Sequence, residues 1–225
     1  MTYVNPYLGE FVGTLLLILF GDGVVANVLL NKSKGWALSG NGLNSGWTNI
    51  IIGWGFAVMV GIAGAIWFGS PWAAINPAVA IAFAIDGKLP WSMLPGFIIA
   101  EILGAFFGAV LVFIAYHDHY KATEDPTTKL ATFSTFALVF GVYALTIKVS
   151  LPGALTVAFL VMALGLSLGG PTGYAINPAR DLGPRLAHAV LLPHDSSDWT
   201  YGLIVPIFGP ITGAIIAAIV AMVVL

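Results

Sequence analysis

The sequence predicts an all-α membrane protein with six spanning helices and two half-helices, arranged as an inverted repeat. Three observations carry that prediction. Hydrophobic residues make up 59% of the 225 residues and charged residues only 8%. The apolar residues fall into segments that run long, long, short, long, and then the same again. The triplet Asn-Pro-Ala occurs twice, at Asn76-Pro77-Ala78 and Asn177-Pro178-Ala179, each time opening a short segment. A helix needs about 20 apolar residues to cross a ~30 Å hydrocarbon layer. Strands of a membrane barrel would alternate apolar and polar residues, and these segments do not. In lipid the backbone must satisfy its own hydrogen bonds, which a helix does.

The elements follow in order. Met1 to Pro6 carries no positive charge and does not resemble a cleaved signal peptide, so the first span, about Pro6–Leu30, is expected to stay. A Gly/Asn/Ser-rich loop leads to Gly46, and the second span covers about Trp47–Phe68. The first short segment, about Asn76–Ile85, stops at Asp86-Gly87-Lys88. A long one, about Trp91–Tyr116, precedes the loop His117–Lys129, which holds much of the charge. The second half reads about Ala131–Ile147, Pro152–Gly170, the short Asn177–Leu192, and Thr200–Leu225. The segment Ala131–Ile147 is short for a span: either this half is trimmed or residues are missing between about Ser134 and Phe136.

The two short segments cannot span; they dip in from one side and stop. Three spans per half is an odd number. Within one domain over 1–225, the half at about 130–225 must therefore sit upside down relative to that at about 1–116. Inverted repeats with broken helices at the midplane recur among transport proteins. Gly9 and Gly13, Gly104 and Gly108, and Gly209 and Gly213 have the Gly-x-x-x-Gly spacing of closely packed helices.

Each triplet reads as a helix start. Asparagine is a good N-cap, and proline at the first helical position gives up an N–H that has no partner there. Placed end to end, the two N-termini would face each other at mid-membrane. Each carries roughly half a positive charge, and together they repel cations. The amides of Asn76 and Asn177 can donate to a passing oxygen. The chain before each helix cannot be helical throughout. Carbonyls of Trp72, Ala73 and Ala74, and of Gly173, Tyr174 and Ala175, would form a ladder of acceptors, which is allowed at that depth only along a cavity. Arg180 lies one turn into the second short helix, where a charge is costly and by default functional. Its fixed fork of donors would bind solute oxygens at a pore mouth. Asp181 could hold Arg180 or cap the helix start, and Arg185, nearer the helix end, is expected at the interface. The path suits a neutral, hydroxylated solute.

Other chemistries find little support. The net charge is −2 with no basic run, so nucleic acid is not an expected partner. With no cysteine there is no thiolate metal site. No nucleophile, metal cluster or phosphate loop is evident, so neither an enzyme nor a cofactor is expected. His117, His119 and His194 read as loop residues, and His188 lies near the end of the second short helix. Glu101 and Asp22 lie in or near spans and read as hydrogen-bond partners of backbone rather than as proton-coupling groups.

The first triplet and the run Gly173-Tyr174-Ala175-Ile176-Asn177-Pro178-Ala179-Arg180-Asp181 resemble the aquaporin (major intrinsic protein) family, the second run its bacterial glycerol-facilitator branch. The resemblance covers nearly the whole chain. It implies a passive channel for glycerol, similar small neutral solutes and water. It also implies a pore in every subunit, usually a homotetramer, in the bilayer of the cell membrane. Its constriction would map onto Arg180, Tyr174, Gly165 and Trp54. Gly165 stands where water-selective members usually carry His, and Trp54 resembles the Trp of glycerol facilitators. Glu10 stands where the family places a buried Glu that steadies the first ladder.

Departures from the pattern exist. Ala74 replaces the usual His two residues before Asn76, and counting back from Asn76 through a longer loop favours Phe56 over Trp54. The counterpart of Glu10 should lie near Ala131, where there is no acid. The resemblance puts the first triplet on the cytoplasmic side, although Lys32, Lys34, Lys121 and Lys129 then lie outside, against the positive-inside expectation. A secondary active transporter shares inverted repeats and broken helices. It would need ion ligands at the midplane, where Asn76 and Asn177 are neutral.

Overall fold

The computed structural model describes residues 5–38, 46–135, 153–170 and 172–224. Ten helices run through them: α1 Pro6–Leu29, α2 Lys34–Leu38, α3 Gly46–Trp67, α4 Pro77–Ile85, α5 Leu94–Ala115, α6 His117–Ala122, α7 Pro126–Ala131, α8 Ala154–Leu168, α9 Pro178–Leu191 and α10 Trp199–Val224. No strand occurs among the described residues. By length and composition α1, α3, α5 and α10 can cross a membrane, and α8 is a shorter apolar helix. Most of the span expected at Ala131–Ile147, with the Thr135–Phe136 junction, lies outside the described residues; its first residue closes α7.

An Asx-Pro pair starts four of the helices. Asn5, Asn76, Asp125 and Asn177 cap α1, α4, α7 and α9 with their side chains, and each is followed by proline in the first turn. The side-chain oxygen takes amide protons that would otherwise have no acceptor. At Asp125 the hydroxyl bond from Thr128 holds the carboxyl below its ordinary range, so the cap is ionised at neutral pH. The loops expected after α1 and α5 contain the short helices α2, α6 and α7. At five or six residues each they are too short to show an apolar periodicity.

Helix α1 is central and packs on α3 and α5. The paired glycines make these approaches possible. A Cβ on Gly13 would stand 2.6 Å from the Ala65 Cβ and 2.7 Å from the Gly61 carbonyl of α3. One on Gly108 would stand 2.7 Å from the Leu15 carbonyl of α1. Helix α3 continues onto α8, α5 onto α9, and α10 covers both half-helices α4 and α9. Polarity is inverted relative to a water-soluble core. Glu10, Asp22, Glu101, Asp181 and Arg185 are fully buried, while Ile114, Phe208 and Met222 lie exposed on the outside. That distribution fits a molecule whose outer face meets hydrocarbon.

Candidate functional site

The half-helices α4 and α9 meet at their N-termini, and the two capping asparagines hold the junction. Asn76 Oδ1 accepts from the Ala78 amide at 3.0 Å. Asn177 Oδ1 accepts from Ala179 at 3.0 Å and Arg180 at 3.2 Å. The side-chain amides then cross over: Asn76 Nδ2 donates to the Ile176 carbonyl at 3.0 Å, and Asn177 Nδ2 to the Ile75 carbonyl at 2.8 Å. Each amide nitrogen carries two hydrogens. One is used in the crossing, which leaves the other for a guest in the adjoining cavity. That cavity has a volume of about 420 Å³, and both asparagines lie in its wall with Trp54, Trp72, Ala73, Ala74, Tyr174 and Arg180.

The chain entering α4 is sharply twisted. Ala73 (φ 43°) and Ile75 (φ 42°) occupy the left-handed region, which costs a residue with a Cβ about 1 kcal/mol or more. Glu10 on α1 holds this conformation. Its carboxylate accepts from the Ser70 hydroxyl, from the Ala74 amide at 3.1 Å and from the Ile75 amide at 2.7 Å. Glu101 on α5 accepts from the Asn76 amide at 3.2 Å. With the Ala74, Ile75 and Asn76 amides tied to buried carboxylates, Trp72, Ala73 and Ala74 line the cavity.

The chain entering α9 is built differently. Gly173 (φ 60°) and Tyr174 (φ 76°) are left-handed. No described carboxylate reaches this stretch. Instead Thr172 Oγ1 accepts from Ala175 at 3.3 Å, and the Tyr174 carbonyl accepts from Ile176 at 3.1 Å. The expected second ladder is therefore only partial. Tyr174 and Ile176 line the cavity, whereas Gly173 does not and Ala175 faces a small adjoining space. The tight 174-to-176 turn consumes the Tyr174 carbonyl.

Arg180 is buried beside Trp54, its guanidinium 4.5 Å from the indole ring. Nη1 donates to the Phe133 carbonyl at 3.5 Å, and Nη2 lies 3.8 Å from Asp22 Oδ1. Trp54 is 5% exposed and lines the cavity, while Phe56 is 49% exposed on the outside, so Trp54 is the ring that meets Arg180. Tyr174 completes the wall, its hydroxyl donating to the Val161 carbonyl. Gly165 stands one layer further back than expected. A Cβ there would lie 2.6 Å from Ile51 and 3.0 Å from the Tyr174 ring, so this glycine seats Tyr174 rather than facing the cavity itself.

These features can be set beside known proteins. The sequence pattern of the family described as Major intrinsic protein matches residues 1–221. The chain belongs to this family. It is 50% identical over 231 residues to a probable glycerol uptake facilitator protein of Thermotoga maritima, covering 92% of this chain and 94% of that one. It is 46% identical over 225 residues to glycerol uptake facilitator protein 3 of Lactiplantibacillus plantarum, covering 90% of each. Its fold is similar to the X-ray structure of the aquaglyceroporin from Plasmodium falciparum, with a TM-score of 0.76 and 25% identity over 96% of this chain and 94% of that one. The protein is an integral membrane channel for small neutral solutes, not an enzyme.

Three charged residues of this major intrinsic protein depart from the sequence reading. Asp181 does not hold Arg180. Its carboxylate accepts from Arg185 Nε at 2.8 Å, the Thr135 amide at 2.9 Å and the Thr135 hydroxyl. Arg185 is not interfacial but fully buried, and it also donates to the carbonyls of Ser197, Asp198 and Thr135. Spacing explains both: Asp181 and Arg185 stand four apart on one face of α9. Asp22, expected to bond backbone, has no hydrogen-bond partner among the described residues. An acid inside an apolar run marks it in the sequence, but nothing there names Arg180 as its neighbour.

Proposed function

We propose that the chain is a passive channel conducting glycerol and similar small neutral solutes, with water, as a homotetramer in the lipid bilayer of the cell membrane. The observation that carries this reading is the crossed pair of asparagine amides at the junction of two half-helix N-termini, set in a cavity wall. A solute entering there leaves its water behind. Donors from Asn76, Asn177 and Arg180 and acceptors from the Trp72–Ala74 ladder replace that water along one edge. Trp54 and Tyr174 offer an apolar surface to the carbon edge. The facing helix ends disfavour cations. Glu10 and Asp181 act as supports, and the repeats run over about 1–116 and 130–225. The names of the bacterial relatives favour glycerol as the solute.

The test uses purified protein in liposomes, with stopped-flow light scattering for water, glycerol, dihydroxyacetone, urea and undissociated lactic acid. Glycerol should enter far faster than into empty liposomes, and an imposed proton or sodium gradient should leave that rate unchanged. Accumulation of glycerol against its own gradient, dependent on the ion gradient, would instead mean a secondary transporter. A glycerol rate equal to that of empty liposomes would overturn the channel reading for this solute.

A further inference from the structure

Asp22 does not itself line the cavity but stands behind the cavity-lining Arg180. It is fully buried on α1, and neither carboxylate oxygen has a hydrogen-bond partner among the described residues. A buried carboxylate without hydrogen bonds is costly unless another charge answers it. The charge facing it is Arg180, at 3.8 Å. Asp181, next to Arg180 in sequence, is taken by Arg185 and Thr135. The approach of α1 is built in, since a Cβ on Gly21 would collide with the Trp54 ring that stacks on Arg180.

We propose that Asp22 is the counter-charge of the constriction, cancelling the charge of Arg180 without occupying its donors. The proposal rests on the reading that Arg180 meets the permeating solute. A separation of 3.8 Å is too long for a hydrogen bond, yet at that distance the Coulomb attraction in a low-dielectric site is large. A close bidentate pair would consume the guanidinium N–H groups. This looser pair leaves them for hydroxyl oxygens. The half-helix ends already disfavour cations. An uncompensated Arg180 would add to that positive potential and draw in small anions. With Asp22 opposite, the constriction keeps its donors and attracts neither sign.

The test compares full-length wild type, Asp22→Asn, Asp22→Glu, Arg180→Gln and the double variant Asp22→Asn/Arg180→Gln in liposomes. Nitrate entry is read with a trapped anion-sensitive dye, and glycerol and water flux by light scattering. Nitrate permeability should rise about tenfold or more in Asp22→Asn, stay low in Asp22→Glu, and return to the wild-type level in the double variant. Wild-type nitrate permeability in a folded Asp22→Asn protein overturns the proposal. If Asp22→Asn does not fold, folding of the double variant supports mutual compensation. Failure of the double variant where Arg180→Gln alone folds would make Asp22 structural and overturn the proposal. An unchanged glycerol-to-water ratio in Arg180→Gln would remove the reading of Arg180 itself, and this proposal with it. A changed ratio with no nitrate effect in Asp22→Asn would remove only the role of Asp22.

Discussion

Asn76 and Asn177 lock one another's entrance strand: the side-chain amide of each donates to the carbonyl just before the other, at 3.0 and 2.8 Å. Both oxygens are meanwhile committed to capping their own half-helices. One residue type thus sets the start of a helix, the spacing of two helices and a donor position in the cavity wall.

Asn177→Ala should remove the cap of α9 and leave the Ile75 carbonyl without its partner. The lost cap costs about 1 kcal/mol and the orphaned buried acceptor about 1–3 kcal/mol. Denaturation in detergent should show a loss of about 2–4 kcal/mol, with reduced glycerol flux in the surviving protein. Asn177→Asp keeps the cap oxygen and should unfold later than Asn177→Ala. The reverse order would mean that the cap matters little.

Glu10→Ala should be more damaging than Glu10→Gln. The alanine leaves the Ser70 hydroxyl and the Ala74 and Ile75 amides without an acceptor, while the glutamine still presents one oxygen. The expected losses are about 3 kcal/mol or more for alanine and about 1–2 kcal/mol for glutamine. Thermal denaturation with flux in parallel checks this. Equal stability of the two variants would show that the ladder holds its twist without the carboxylate.

Gly165→His should lower glycerol flux much more than water flux. The new side chain collides with Ile51 and with the Tyr174 ring, and the ring has the cavity on its other side. Driving Tyr174 inward blocks volume, which discriminates more harshly than a change of one methylene. Parallel loss of both fluxes in a folded protein would detach Gly165 and Tyr174 from selectivity.

Arg185→Gln and Arg180→Gln should separate cleanly although both sit on α9. Removing Arg185 strands the Asp181 carboxylate in a fully buried network, for a loss of about 3–5 kcal/mol, without altering the glycerol-to-water ratio of protein that still folds. Arg180→Gln should alter that ratio with a smaller stability loss. A ratio change in Arg185→Gln would place the Asp181 network in the pathway.

Much of this architecture is legible in the chain because membrane helices are local objects. Long apolar runs specify α1, α3, α5 and α10 to within a few residues. The Asx-Pro grammar specifies where α4 and α9 begin, because cap and first turn are contiguous in sequence. The small helices α2, α6 and α7 escape, since five or six residues are too few to show an apolar period. Arg180, Trp54 and Tyr174 are recognisable as a set by resemblance, and all three line one cavity.

The sequence by itself determined the helical class, the two half-helix starts and the identity of the cap residues, all of which depend on neighbours within a turn. Only the tertiary structure decided the partners of the buried charges. Asp181 turns to Arg185 and away from Arg180, Asp22 faces Arg180 from another helix, and Gly165 lies behind Tyr174. A buried charge takes whatever opposite charge or donor the packing brings within about 4 Å, and helices far apart in the chain set that distance.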